Sequence, residues 1–301
     1  VKIKEIHSSD LTASCMKFVQ LRLQGKVRPA APTAMFRGLV AVEALRYLHE
    51  RVLHNGSEEP ALYTPLVNEA IATVKKTLAE EGRAITEAVE ANMSEIVSDI
   101  GMFMENYYRK FHARFAASQF LGCEVPVRWK FAPRMPEFAS HIDLLIRDAS
   151  GRIVFIDWKL RENAPTYAYL SRNLQFAAYY GCCLEGKLLL SDGLSSEWKS
   201  LGEESVGVWL HVNHLAPFGK KTKCEDDRGM EREFAKGDDR PTRMAWREVE
   251  YAHHTAIEMI RGQLMERVRL LQRDIFPSNP DPVSCTLCEA ESFCPRFDTV
   301  I

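Results

Sequence analysis

The sequence predicts a mixed α/β chain, a central sheet flanked by helices with a helical subdomain on its N-terminal side. Three observations carry this. Apolar residues recur every three or four positions between 34 and 120. Between 125 and 156 they alternate or cluster in short runs. A Ser150-Gly151 turn then separates two of those runs.

The elements follow in order. The first 30 residues hold six Lys/Arg against two acids, and Ser9-Asp10 caps a short helix carrying Cys15, Phe18, Leu21 and Leu23 that Pro29 and Pro32 close. Leu39, Val42, Leu45, Leu48 and Val52 form one helical stripe. Ile85, Val89, Met93, Ile96, Ile100, Met104 and Tyr107 form another. Breaks at Asn55-Gly56-Ser57 and Glu81-Gly82 make three helices, the last unusually long. With nine Lys/Arg and twelve Asp/Glu over 31–120, this block reads as a structural or gating subdomain.

Val125, Val127, Trp129 and Phe131 alternate as a half-buried strand does; 141–146 is a second strand, and 153–157 a third, apolar enough to be central. A helix over 168–185 and strands over 188–190 and 206–210 follow. Residues 216–241 are polar and read as a long flexible loop, before a final helix over 242–273. The divisions are thus a segment 1–30, a helical subdomain 31–120, a core 121–215, and a polar loop, long helix and cysteine-bearing end over 216–301, all in one integrated domain.

Of 301 residues, 39 are Lys/Arg and 41 Asp/Glu, a net charge of -2, with 46% apolar and 27% charged. That balance excludes an overall basic nucleic-acid coat protein and an acidic disordered tail, but not a local basic groove. No apolar run reaches the ~18 residues of a membrane span. Residues 1–5 lack the apolar core of a signal peptide, so the expectation is a cytoplasmic chain without membrane contact. In that compartment thiols are kept reduced, so the eight cysteines are not read as a disulfide framework.

The most informative stretch is 140–159. Asp143 lies in one strand and Asp157-Trp158-Lys159 at the end of the next, across the Gly turn. An antiparallel pair of this length brings both carboxylates to one end of the sheet, and Asp157 and Lys159, two apart, share a face. Two acids suit Mg²⁺ or Mn²⁺, which polarise a phosphodiester and lower the pKa of bound water. The lysine can orient or deprotonate that water, or neutralise charge on the phosphate. On spacing alone a solvated ion pair explains the same residues. Gln175 and Tyr179, four apart on the next helix, add a second polar pair.

These residues resemble the PD-(D/E)XK nucleases of RecB type, whose core is restriction-endonuclease-like: Asp143, Asp157-Trp158-Lys159 and Gln175-xxx-Tyr179 match motifs II, III and QxxxY. The resemblance implies metal binding by Asp143, Asp157 and the Trp158 carbonyl, catalysis by Lys159, and DNA contact by Gln175 and Tyr179. It implies a Mg²⁺- or Mn²⁺-dependent exonuclease on single-stranded DNA or duplex ends, in a bacterial or phage-infected cell. Three departures stand out. Ser140 replaces a common Gly, Asp157 is the shorter acid, and Val42 occupies the His position of a Gly-xxx-His motif. Glu43 points about 100° away on the helix. His141 is a candidate replacement ligand.

Cys285, Cys288 and Cys294-Pro295 give C-x2-C-x5-C-P. Spacing alone leaves zinc and iron–sulfur equal. The sequence is similar here to AddB-type and CRISPR adaptation nucleases, which implies a [4Fe–4S] cluster on Cys15, Cys285, Cys288 and Cys294 that staples the chain ends. Cys182 and Cys183 read as small buried apolar residues. Arg128, Lys130, Arg134, Arg161 and Arg172 are candidate phosphate contacts, and Tyr167 and Tyr169 candidate stacking residues. No G-x-x-x-x-G-K-[ST] loop is present, so any helicase or recombination partner is a separate chain. Two alternatives stand beside the nuclease: a nucleic-acid-binding module of the same fold impaired in cleavage, and a helical interaction protein stapled by zinc.

Overall fold

The structure, a computed structural model, describes residues 5–7, 19, 31, 33–54, 60, 62–160, 166–171, 173–191, 195–202, 205–212, 222–225, 231–234, 244–250 and 253–272. Strand β1 is Glu5–Ile6. Helix α1 is Thr33–Leu48, continued by a π-helical turn, His49–Leu53. Helices α2 (Thr64–Glu80), α3 (Glu87–Ala91) and α4 (Met93–Ala116) follow. Strands β2 (Gln119–Trp129), β3 (Glu137–Arg147) and β4 (Ile153–Leu160) lead to α5 (Tyr167–Leu170) and α6 (Leu174–Leu184). Then come β5 (Lys187–Ser191), β6 (Ser196–Lys199), β7 (Ser205–Val212), β8 (Thr222–Glu225), β9 (Glu231–Phe234), β10 (Met244–Glu250) and α7 (His253–Gln272).

The main sheet runs β10-β7-β4-β3-β2-β5-β6, with β1 beside β3. Strands β4 and β7 pair in parallel over their full length, and the other neighbours along this path are antiparallel. The sheet is therefore mixed and β4 is central, as its apolar run predicts. Helices α1 to α4 cover one face, where Phe36, Val40, Ile100 and Tyr107 meet Leu144, Ile146, Val154 and Ile156. Helices α6 and α7 cover the other, where Phe176, Tyr180, Leu264 and Val268 meet Val127, Leu145 and Phe155. The result is three layers, helix on sheet on helix, consistent with a restriction-endonuclease-like core.

Several expectations need correction. The long third helix is two, broken at Asn92, whose side-chain amide donates to the Ala88 carbonyl as α3 ends. The helix over 168–185 is also two, because Asn173 accepts from the backbone N–H groups of Gln175 and Phe176 and starts α6 afresh. Helix α1 buries Phe36, Val40, Ala44, Leu45 and Leu48, whereas Leu39 is exposed and Val42, half-buried against the core, lines a cleft with it. The supposed loop over 216–241 contains the β8–β9 hairpin. Residues 244–250 are a strand rather than the start of a helix. Met, Ala, Arg and Glu favour helix, but pairing with β7 along seven residues overrides that preference.

Close packing sets α6 on the sheet. A Cβ at Gly207 would lie 2.7 Å from the Phe155 ring and 2.9 Å from that of Phe176, and one at Gly181 would lie 2.5 Å from the Trp129 ring. Glycine at both positions lets α6 approach closely. That approach carries Gln175 to the end of β4.

Candidate active site

The site forms where β4 parts from β3. Their ladder ends at Leu144↔Ile156, while the far end of β3 pairs with β1 at Glu137 and Phe138. Beyond Ile156 the Trp158 N–H donates 2.8 Å to Asp143 Oδ2, so a carboxylate takes the part that a strand carbonyl would play. Asp157 is fully buried. Its Oδ1 accepts from Lys159 Nζ at 2.6 Å and from Gln175 Nε2 at 3.0 Å. Gln175 Nε2 also donates to the Tyr179 hydroxyl, 3.0 Å away, which lies 3.4 Å from Ser140 Oγ. The structure thus brings Asp143, Trp158, Asp157, Lys159, Gln175 and Tyr179 together.

Burial pushes the Asp143 carboxyl well above the usual carboxylate range, and the charge of Asp157 pushes it further while Lys159 opposes. Two acids with one ammonium form a centre short of positive charge. Among the described residues no three His, Cys, Asp or Glu side chains gather so as to hold a metal ion. Two hard carboxylates nonetheless fit Mg²⁺, which keeps several waters and needs one or two acidic ligands.

Sequence reasoning missed Glu124. The register of β2 on β3 places it opposite Asp143, between Cys123↔Leu144 and Val125↔Ile142. On both strands the alternation of faces breaks here, because Val125 and Ile142 pack on the α6 side whereas Cys123 and Leu144 pack on the α1–α4 side. Glu124 has φ +47, an uncommon conformation for a residue with a side chain. Burial, then the charge of Glu43, raises its carboxyl to about 7. No sequence cue marks it, because Leu121, Cys123, Val125, Val127 and Trp129 alternate without a break.

Other expected residues lie elsewhere. Tyr179 is only 2% exposed and supports Gln175 from below. Arg128 sits four residues along β2 from Glu124, ~13 Å at strand spacing. It pairs with Glu137 and Glu5 and stacks over Trp198. Lys130 donates to the Met135 carbonyl. His141 is exposed on the far part of β3 and has His7 as a neighbour. Val42 lines a cleft of about 270 Å³ with Gly38, Leu39, Asp143 and Lys159. Glu43 turns to Arg46, whose guanidinium holds its carboxyl below the usual range against the opposing effect of burial. Tyr167 is exposed beneath Arg247. Cys182 and Cys183 are buried, as expected. Arg161, Arg172, Cys15, Cys285, Cys288 and Cys294 lie outside the described residues.

Behind β4, a polar chain includes two histidines. His49 is fully buried, and burial first, then His54, holds its imidazole well below the usual range. Burial lowers His54 to about 4. An unfolded histidine titrates near ~6.5, so between those values the unfolded chain binds a proton that folded His54 refuses. This contribution to stability is complete above ~6.5 and is lost as the pH falls below it, about 2 kcal/mol for His54 between pH 7 and 5. Urea melts at the two pH values should show the loss, and His54→Leu should reduce it; an equal loss in the variant contradicts the assignment.

A mixed sheet between helical layers, with two acids and a lysine where central strands part, defines the class of α/β proteins with a carboxylate–lysine centre. A family model for the PD-(D/E)XK nuclease superfamily matches residues 21–295, and the chain belongs to that superfamily. Among solved structures the chain is similar to SSO0001, with 14% identity, coverage of 93% of this chain and 94% of that one, and a TM-score of 0.34. No curated protein matches the chain.

Proposed function

We propose that this chain is a Mg²⁺- or Mn²⁺-dependent deoxyribonuclease of RecB type, an exonuclease acting on single-stranded DNA or duplex ends. The observation that carries this reading is the buried Asp157, held by Lys159 and Gln175 beside an Asp143 that accepts the Trp158 N–H. Asp143, Asp157 and the Trp158 carbonyl are the metal's ligands. The bound ion supplies Lewis acidity to the phosphate and acidity to a water. Lys159 orients that water or neutralises charge growing on the phosphate. Gln175 fixes the Asp157 carboxylate, Tyr179 fixes Gln175, and Glu124 is a further acid opposite Asp143.

Cys15, Cys285, Cys288 and Cys294 are proposed to hold a [4Fe–4S] cluster, with zinc as the rival ion, closing the four segments into one domain. No described helix is long and apolar enough to cross a membrane.

The test is incubation of anaerobically purified chain with end-labelled single- and double-stranded DNA and Mn²⁺. Mononucleotide or short products from the ends support the exonuclease, whereas internal products indicate an endonuclease. Binding without cleavage favours the impaired binding module, and neither binding nor cleavage overturns the reading. Iron or zinc analysis of the same preparation identifies the cysteine-bound metal.

A further inference from the structure

Trp158 lies between Asp157 and Lys159, and its side chain projects to the opposite face of the sheet, into the helical subdomain. There its indole N–H donates to the Tyr107 hydroxyl at 3.3 Å. The Tyr107 oxygen lies 2.7 Å from His49 Nε2, and His49 Nδ1 lies 3.1 Å from His54 Nε2. The His49 ring also stacks on Trp158, with centroids 5.5 Å apart.

The direction of this chain starts from one fact: an indole nitrogen can only donate. Tyr107 therefore accepts from Trp158, and a buried hydroxyl hydrogen needs an acceptor, which His49 Nε2 supplies at 2.7 Å, so Tyr107 donates to that nitrogen. His49 then carries hydrogen on Nδ1 and donates to His54, whose proton is left on its own Nδ1. Four groups thus point one way, from the strand end to the π-helical turn. That turn has its own reason. Its i→i+5 backbone bond, His54 N to His49 O at 3.3 Å, brings two histidines five residues apart into register, where α-helical spacing would set them on different sides.

Apolar side chains would fill this space without having to satisfy buried polar atoms. What the polar chain adds is orientation of one indole, and with it the backbone on which Asp157, the Trp158 N–H to Asp143, and Lys159 are mounted. Resting on the nuclease reading above, we propose that Tyr107 and His49 are positioning residues that hold the catalytic strand end in register through the Trp158 indole. They touch no substrate.

The test is a double-mutant cycle of Tyr107→Phe, which keeps its ring, and Trp158→Phe, which keeps an aromatic side chain without the indole N–H, both leaving the Trp158 backbone carbonyl in place. It is read by kcat and KM on end-labelled single-stranded DNA, by calorimetric Mn²⁺ affinity, and by thermal melting. Outer-shell partners of metal sites typically alter affinity or activity by about 10–100-fold, and the low end is expected here. Tyr107→Phe should lower kcat about tenfold with KM for DNA within about twofold, and weaken Mn²⁺ binding by a similar factor. The double variant should be no worse than Trp158→Phe alone. His49→Gln, which keeps a polar partner for Tyr107, should retain more activity than His49→Leu.

A lower melting temperature with unchanged kcat and Mn²⁺ affinity overturns the inference, since the chain is then structural support only. Effects that add in the double variant overturn it too, because Tyr107 then acts by another route. Failure of the wild-type chain to cleave counts against the nuclease reading, and the Mn²⁺ cycle then decides the positioning role by itself. Absence of Mn²⁺ binding in the wild type overturns both.

Discussion

Asp143→Asn is expected to lose about 10³-fold or more of DNA cleavage and, in metal-free buffer at pH 7, to melt at a higher temperature than the wild type. The two effects have one cause. The amide oxygen can still accept the Trp158 N–H, so the geometry at the end of β4 is kept. What disappears is the capacity to carry a negative charge. Burial and the neighbouring Asp157 raise the Asp143 carboxyl, so the folded state holds that proton more tightly than the unfolded chain does. Ionisation therefore opposes folding, and an uncharged amide removes the penalty. The same charge is what a divalent cation needs. Melting in EDTA and cleavage with Mn²⁺ check the pair of effects. Retained cleavage removes Asp143 from the metal site, and a lower melting temperature contradicts the repulsion.

How far the site could be read from sequence follows from the range of the interactions. Asp143, Asp157 and Lys159 belong to one hairpin, closed at Gly151 with φ +87, so strand periodicity and loop length place them together. Gln175 and Tyr179 need only a helix, and they meet as their spacing predicts. Glu124 depends on a rung where two strands both abandon alternation, which no single-strand pattern reveals. Arg128 shows the converse. It is basic and on the right strand, but register puts it toward Glu137, away from the acids.

The fold shows the same division. The three central strands were legible because each shows alternation or an apolar run within its own length. Strand β10 was not, because its helix-favouring residues are held extended by β7, a neighbour that composition does not disclose. The histidine pair was hidden for a similar reason. A π-helical turn adds one residue to the repeat, so His49 and His54 look unrelated under a period of about 3.6.

Placing Val42 beside Asp143 and Lys159 has a consequence for the lysine. An apolar side chain there adds no charge and no ligand, so positive charge at Asp157 comes from Lys159, whose Nζ lies 2.6 Å from the carboxylate oxygens. Ammonium and metal must share that carboxylate. Lys159→Met is accordingly expected to lose about 10³-fold of cleavage and, without metal, about 2–3 kcal/mol of stability, because a buried acid is left without its ion-pair partner. Asp157 is fully buried whereas the lysine side chain is 24% exposed, which places the loss at the lower end for a broken buried pair. Mn²⁺ should then restore stability to the variant, and its melting temperature should rise more on adding the ion than that of the wild type. Gain in melting temperature against Mn²⁺ concentration, measured for both chains, distinguishes the cases. An equal gain would mean that the ammonium and the ion occupy separate positions, and that Lys159 does not gate the carboxylate at all.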